Sequence, residues 1–135
     1  MTDEQQYPTS LIRVRLGTED AHYGGGLVAG AKQMEILGDL ATELAMRYDG
    51  DEGLLRAYES VEFLAPLYAG DWVEARGTIV DTGNTSRKIE FEIWKIGGAR
   101  ADVSGSAAEF LAEPVQTLRA VGTTVVMKDH QRVRR

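Results

Sequence analysis

The sequence contains no cysteine and only two histidines, and both shortages narrow the chemistry open to the chain. Without cysteine there is no disulfide, no thiolate nucleophile and no zinc site of the Cys/His type. His22 and His130 lie near opposite ends of the chain, so they suggest no shared metal site. A chain without cysteine suits a reducing compartment, and we therefore expect a cytoplasmic protein without a bound metal.

Positive charge and long apolar runs are also scarce. The net charge is -6 and the pI about 4.9, which argues against nucleic-acid binding because that function needs a basic surface. No apolar run approaches the roughly 20 residues that span a membrane. The first residues include Asp3 and Glu4 and contain no apolar core, so we expect no signal peptide there. We therefore expect no nucleic acid and no membrane among the partners.

The 135 residues suffice for one domain with one core. We predict a single domain over residues 1–135, with flexible ends at 1–9 and 128–135. A segment rich in alanine and leucine and free of proline predicts a helix over 27–47. Alternating or β-branched apolar residues predict strands at 11–16, 54–64, 72–80, 89–96 and 118–127.

One helix against a mostly antiparallel sheet is an α+β architecture, and this is the fold class that we predict. Residues 99–117 have no clear pattern, and 106–112 are compatible with a short helix or a strand.

The predicted helix has an apolar face and an acidic stripe. At about 100° per residue, Glu35, Asp39 and Glu43 follow one another at i, i+4 steps. Such a stripe is commonly a solvated face; covered by an oligomer interface, its carboxylates would have raised pKa values and act as general acid or base. Both interpretations stay open at this point. The apolar face consists of Ile36, Leu37, Leu40, Ala41 and Leu44.

Three consecutive glycines, at 24–26, precede the predicted helix. With Ala29 they match G-x-G-x-x-A, but the chain lacks the βαβ unit that a dinucleotide site requires. Residues 49–51 do not start a calcium loop, because the twelfth position is Ser60 rather than glutamate. The glycines instead allow backbone N–H groups at a helix start to approach a ligand oxygen. A plain tight turn is the alternative.

The order of elements resembles the hotdog fold of acyl-CoA thioesterases and dehydratases, in which a sheet wraps one long helix. Residues 60–66 and 69–71 resemble the strand-Pro-x-x-x-Gly-Asp signature of that superfamily. Residues 82–88 resemble its Gly-x-x-Ser turn, and together these segments cover most of residues 10–127.

Within that superfamily, residues 20–28 and 38–44 are similar to 3-aminobutyryl-CoA and β-alanyl-CoA ammonia lyases, as are 49–51 and 83–88. The resemblance implies reversible removal of ammonia from a β-amino acyl-CoA, giving an enoyl-CoA, in lysine or β-alanine fermentation. It implies an acyl-CoA thioester and ammonia as partners. It implies no metal or redox cofactor, because the substrate carries its own CoA. It also implies a homodimer, assembled into a hexamer as a trimer of dimers.

The resemblance implies a set of catalytic residues. Asp39 or Glu43 would be the base, in a partly dry environment that raises its pKa, and a carboxylate would also hold the substrate ammonium. His22 or Tyr23 would orient either carboxylate, whereas Glu35 is expected to be structural. The candidates for substrate and CoA binding are Asp20, Gly24, Gly25, Gly26, Asn84, Thr85, Ser86, Arg87 and Lys88.

Arg87 and Lys88 are expected to meet the CoA phosphates, with a solvated strand end as the alternative. Three other functions fit the same residues: an acyl-CoA thioesterase, an enoyl-CoA hydratase, and an acyl-CoA binding module without catalysis.

Overall fold

The computed structural model describes residues 7–133, in which one long helix packs on one five-stranded sheet. The main elements are β1 (Thr9–Arg15), α1 (Gly30–Asp49), β2 (Leu54–Phe63), β3 (Trp72–Thr82), β4 (Ser86–Ala99) and β5 (Ala108–Val125). Short 3-10 turns lie at Thr18–Asp20, Gly24–Gly26 and Lys128–His130. No helix within the described residues is long and apolar enough to cross a membrane.

The strand order is β1-β3-β4-β5-β2, and every pairing is antiparallel. The α+β prediction is therefore confirmed, and the element order is the one that the hotdog resemblance implies. β2 pairs with β5 on one side and, within residues 7–133, has no strand on the other. β1 closes the opposite edge against β3.

The core lies between α1 and the concave face of the sheet. The residues predicted for the apolar helix face are all buried, and burial alternates along β3 and β4 as expected for strands with one covered face. The helix crosses the sheet closely at Gly77, where an added Cβ would meet Leu44 Cδ1 at 3.2 Å. The buried sheet residues include Val73, Ala75, Ile79, Ile89, Phe91 and Ile93.

The helix begins later than predicted. Residues 27–29 are extended instead: Leu27 forms a β-bridge with Tyr68, and the Val28 N–H donates to the Leu67 carbonyl at 2.8 Å. These pairings hold the backbone out of the helix until Gly30. The other end runs to Asp49, where Gly50 adopts φ 74° and closes the helix with an N–H bond to the Met46 carbonyl.

The ambiguous segment 99–117 belongs to a long hairpin between β4 and β5. β5 begins at Ala108, so the strand interpretation of 106–112 is right and the helical one is wrong. The Arg100 N–H closes the turn by donating to the Ala107 carbonyl at 2.7 Å. Most residues in the first half of β5 are exposed. Because neither face of this part of the strand is buried, the sequence has no alternation of apolar and polar residues that would predict a strand here.

The chain ends depart from the expected fraying over part of their length. Residues 1–6 and 134–135 lie outside the described residues. β1 already begins at Thr9, and the segment 128–133 is attached to the fold. The Arg132 N–H donates to the Asp49 carbonyl at 2.8 Å, and Gln131 Nε2 donates to the Asn84 carbonyl at 2.8 Å.

Candidate active site

The glycine turn is conformationally specialised but lies apart from the helix start. Gly25 and Gly26 have φ values of 73° and 77°, a region that other residues avoid. An added Cβ at either position would meet no atom within 4 Å. Glycine is therefore needed here for backbone conformation rather than for space. The Gly26 carbonyl accepts from the Ala69 N–H at 2.9 Å, which anchors the turn beside β3.

The N-terminus of α1 is a further source of unpaired backbone donors, separate from the glycine turn at which they were expected. Ala29 is the N-cap and provides no side-chain hydrogen bond. The N–H groups of Gly30 and Ala31 have no acceptor within the helix, because the first turn of any helix leaves its donors unpaired. Phe63 lies over this position, since an added Cβ at Gly30 would meet its ring at 2.9 Å. The glycine turn and the helix start are therefore two separate groups of backbone donors, because α1 begins only at Gly30.

Asp20 has a structural task that the sequence did not reveal. Its Oδ2 accepts from the Gly17 N–H at 2.9 Å, and its Oδ1 lies 3.5 Å from Lys32 Nζ on the helix. Asp20 therefore ties the loop to α1. His22 and Tyr23 follow it and expose their side chains to solvent.

The three carboxylates of the acidic stripe have three different environments. Glu35 is exposed and accepts from Lys32 Nζ at 2.9 Å. Asp39 is exposed, and no side chain within residues 7–133 bonds to its carboxylate. Glu43 is half-buried and accepts from the hydroxyl of the buried Ser10 as well as from Arg47.

These contacts overturn one expectation for Glu43. The Ser10 hydroxyl and the Arg47 guanidinium lower the pKa of the Glu43 carboxyl below its ordinary value. A base poised near neutral pH needs a raised pKa instead. The lowered pKa of Glu43 does not fit the poised base that was expected there, and Asp39 is the other carboxylate predicted as the base.

Arg87 is not available to CoA phosphates. Its side chain is 2% exposed, and its Nε and Nη2 each donate to the Asp49 carboxylate at 2.9 Å. Nη1 donates to the carbonyls of Gly83 and Ser86 at 3.0 and 2.9 Å, and the guanidinium lies 5.0 Å from the Tyr48 ring centroid. Neither the phosphate-binding role nor the solvated alternative describes this residue.

The neighbouring residues form the β3–β4 turn that Arg87 holds. The carbonyl of Thr85 accepts from the Val126 N–H at 2.8 Å, and that of Ser86 accepts from the Gly83 N–H at 2.9 Å. Asn84 exposes its side chain, and Lys88 is half-buried with its Nζ 3.2 Å from Glu59. The turn is thus shaped by its backbone carbonyls, and Asn84 and Lys88 face outward.

One chain does not bring the two sets of predicted residues together. α1 has 20 residues, which at 1.5 Å per residue makes it about 30 Å long. The glycine turn and Gly30 lie at one end, and Asp49 with the β3–β4 turn lies at the other. Asp39 lies about 14 Å along the axis from Gly30. Within one chain these groups therefore lie far apart along the helix.

Exposed apolar side chains lie at both ends of β2, an open edge of the sheet within the described residues. Phe63 is 53% exposed at the end of β2, and Leu54 is 73% exposed at its beginning. Leu64 and Tyr68 continue this apolar surface beyond the strand. We call it the β2 edge surface. An open strand edge flanked by exposed apolar side chains is typical of a protein interface.

Gln33 was missed by the sequence analysis. It is buried and accepts from the Thr117 hydroxyl at 2.9 Å. The sequence does contain a signal for it: at helical spacing, Gln33 lies one turn before Leu37, on the face of the helix that is otherwise apolar.

A groove of about 310 Å³ lies elsewhere, between β1, the start of β3 and the β4–β5 hairpin. Its lining includes Arg15, Trp72 and Phe110, and none of the described residues predicted for the site. No group of three or more metal-ligating side chains occurs within residues 7–133.

Comparisons with known proteins agree with the predicted resemblance. A sequence profile described as thioesterase superfamily matches residues 25–101. The 3-aminobutyryl-CoA ammonia lyase of Acetoanaerobium sticklandii is 51% identical over 123 residues, covering 91% of this chain and 98% of that protein. The β-alanyl-CoA:ammonia lyase of Clostridium propionicum superposes with a TM-score of 0.91 at 34% identity, covering 97% of this chain and 93% of that one.

A more distant structure shares the fold alone. The hexameric thioesterase y2039 of Yersinia pestis is 21% identical with a TM-score of 0.71, and the match covers 97% of this chain and 96% of that one.

Proposed function

Since the chain belongs to the thioesterase superfamily, we propose that it catalyses the reversible elimination of ammonia from a β-amino acyl-CoA to give an enoyl-CoA. The supporting observation is the 51% identity, over 91% of the chain, to a protein named 3-aminobutyryl-CoA ammonia lyase. The substrate is 3-aminobutyryl-CoA, giving crotonyl-CoA, or β-alanyl-CoA, giving acryloyl-CoA. The superfamily's thioester hydrolases share the fold, but function depends on the site.

The reaction needs a polarised thioester carbonyl and a base. The amides of Gly30 and Ala31, at the positive end of the helix dipole, polarise the carbonyl oxygen. A carboxylate takes the α-proton, the resulting electron pair forms the carbon–carbon double bond, and the β-ammonium leaves as neutral ammonia. The charge that develops on the thioester oxygen in between is the charge that the helix start stabilises.

Asp39 is the base in this proposal. Its carboxylate is exposed and has no bonding partner within the described residues. Glu43, paired with Ser10 and Arg47, stays ionised and helps to keep the site attractive to the substrate ammonium.

The second chain is part of the same proposal. Asp39 and Gly30 of one chain are about 14 Å apart along the helix, too far for one thioester. A homodimer joined through the β2 edge surface would bring the helix of one protomer beside that of the other, and isologous dimers are the commonest assembly. A hexamer, as a trimer of dimers, is the further expectation, supported by the distant thioesterase described as hexameric.

No metal or redox cofactor is required by this chemistry. A cytoplasmic location, supported by the absence of cysteine, and a place in lysine or β-alanine fermentation complete the proposal.

Incubation with crotonyl-CoA and ammonium tests the proposed reaction. We expect an amine adduct by mass spectrometry, without release of free CoA thiol. Free thiol would instead identify a thioesterase, and a water adduct formed without ammonium would identify a hydratase. Binding with no turnover in either direction would identify a binding module. Repeating the assay with acryloyl-CoA distinguishes the two candidate substrates.

Sedimentation measures the oligomeric state of the chain. We expect at least a dimer at micromolar concentration, and a charged substitution at the β2 edge, such as Leu54→Glu, should shift it toward the monomer. A stable monomeric wild-type chain would contradict the two-chain site.

A further inference from the structure

Gln33 is a buried amide on a face of α1 that otherwise packs apolar side chains. It is 4% exposed, and Leu37 and Leu40 on the same face are fully buried. An apolar side chain of similar size would fill this position without the cost of removing an amide from water. The amide therefore calls for a reason beyond packing.

The orientation of the amide is set by Thr117. The Thr117 hydroxyl has one proton and two acceptors within reach, and it donates to the nearer one, Gln33 Oε1 at 2.9 Å, rather than to the Ile93 carbonyl at 3.2 Å. Thr117 is itself fully buried on β5. Because the amide oxygen is the atom that binds Thr117, the NH2 group is left for another acceptor.

That NH2 group has no partner within residues 7–133. No described acceptor bonds to Gln33 Nε2, and the buried side-chain atom without a partner among the described residues is Thr124 Oγ1 instead. Gln33 Nε2 therefore reaches the surface from a side chain whose remainder is enclosed. A buried, oriented amide that presents its donors outward is a ligand-binding feature rather than a packing feature.

The donors lie at the start of the helix. Side chains on a helix lean toward its N-terminus, so Gln33 covers the turn that begins with Gly30. Gly30 has no side chain to fill that space, and Phe63 packs over it. Thr117 is adjacent on the other side, because its carbonyl accepts from the Leu64 N–H at 2.9 Å. Gln33 Nε2 and the unpaired helix amides thus share one small region.

We propose that Gln33 is a catalytic residue that donates a hydrogen bond from Nε2 to the thioester carbonyl oxygen, together with the amides at the start of α1. Thr117 is a positioning residue that keeps the NH2 group, rather than the oxygen, toward the substrate. This inference rests on the proposed function. It adds a side-chain donor to the carbonyl site, and the oxygen becomes a stronger acceptor as it gains negative charge.

The variant Gln33→Met tests the contact because it keeps size and removes both donors. Butyryl-CoA, a thioester without a β-amino group to eliminate, is compared with its thioether analogue, S-butyl-CoA, which lacks the carbonyl oxygen. We expect the variant to bind the thioester more weakly and the thioether as tightly as the wild type. The infrared carbonyl stretch of bound butyryl-CoA should move to higher frequency, and turnover should fall about a hundredfold, the scale of one lost oxyanion donor.

Thr117→Val tests the positioning role, with Thr117→Ser as the matched control that keeps the hydroxyl. We expect the valine variant to show the same changes in carbonyl stretch and turnover as Gln33→Met, and the serine variant to restore both. These variants also decide the matter if Gln33→Met does not fold.

Unchanged carbonyl stretch and turnover in the folded variants would overturn the inference, as would equal loss of thioester and thioether affinity. Failure of the proposed function looks different. In that case the wild-type chain would form no amine adduct from crotonyl-CoA, whereas the variants' effect on the carbonyl stretch of bound butyryl-CoA would be unaltered.

Discussion

The guanidinium of Arg87 binds the carboxylate of Asp49 through two hydrogen bonds of 2.9 Å, which join the start of β4 to the end of α1. Asp49 is 0% exposed, and the pairing raises the pKa of Arg87 above its already high ordinary value. The Asp49 carbonyl also accepts from the Arg132 and Val133 N–H groups. The pair therefore holds the helix end, the β3–β4 turn and the segment 128–133 together.

Removing Arg87 should destabilise the fold strongly. Arg87→Leu would remove both hydrogen bonds of the guanidinium to the buried Asp49 carboxylate, and breaking such a buried pair costs about 3–5 kcal/mol in the free energy of unfolding. Denaturant unfolding measures the loss. Arg119→Ala is the control, since its ion pair with Glu62 is exposed and should contribute at most about 1 kcal/mol. A similar loss of stability in both variants would show that the buried Arg87–Asp49 pair stabilises the fold no more than an exposed ion pair does.

The two candidate carboxylates should differ in their effect on turnover. Asp39→Asn removes the proposed base and should lower turnover by roughly 100-fold or more. Glu43→Gln changes an anion that is already bound by Ser10 and Arg47, so turnover should fall by much less. Glu35→Gln is the control on the same stripe and should leave turnover near the wild-type rate. Steady-state kinetics with crotonyl-CoA and ammonium would contradict this assignment if Asp39→Asn retained wild-type turnover.

Glu43 should also contribute to the pH dependence of stability. Its pKa in the folded chain lies below the ordinary value of 4.5 because of Ser10 and Arg47. The contribution is therefore fully present above pH 4.5 and is lost as the pH falls through the lower, folded-state pKa. At neutral pH, Glu43→Gln should cost at most about 1 kcal/mol, since the ion pair is partly exposed. Thermal unfolding at several pH values should show the two proteins converging in acid; a constant difference would argue against this linkage.

The glycine turn should respond to substitution through its backbone. Gly25→Ala places a side chain at φ 73°, which costs about 1–2 kcal/mol through local strain. Gly24→Ala is the matched control, because Gly24 is not among the positive-φ glycines and an added Cβ meets no atom within 4 Å. Unfolding experiments should therefore separate the two variants. Equal stability would mean that the turn relaxes to accommodate the new side chain.

Local pattern in the sequence was enough to predict most of the secondary structure. The helix face that contains Leu37 and Leu44 is buried as predicted, because apolar residues at helical spacing must share one side of a helix. The β3 and β4 strands were visible because each has one covered face. Similarity in short segments such as 20–28 was enough to predict the family, since it depends on residue identity and order alone.

Long-range pairing decided what the sequence by itself left open. Arg87 and Asp49 are 38 residues apart, and no sequence pattern around Arg87 indicates that its guanidinium is buried. Two other distant pairs have similar effects. Ser10 lowers the pKa of Glu43, and Thr117 binds the oxygen of the Gln33 amide. The pairing of residues 27–29 with 67–68 also moved the helix start to Gly30. Sequence determines which side chains are present and their local periodicity, whereas tertiary contacts determine which of them are desolvated, charged and available for chemistry.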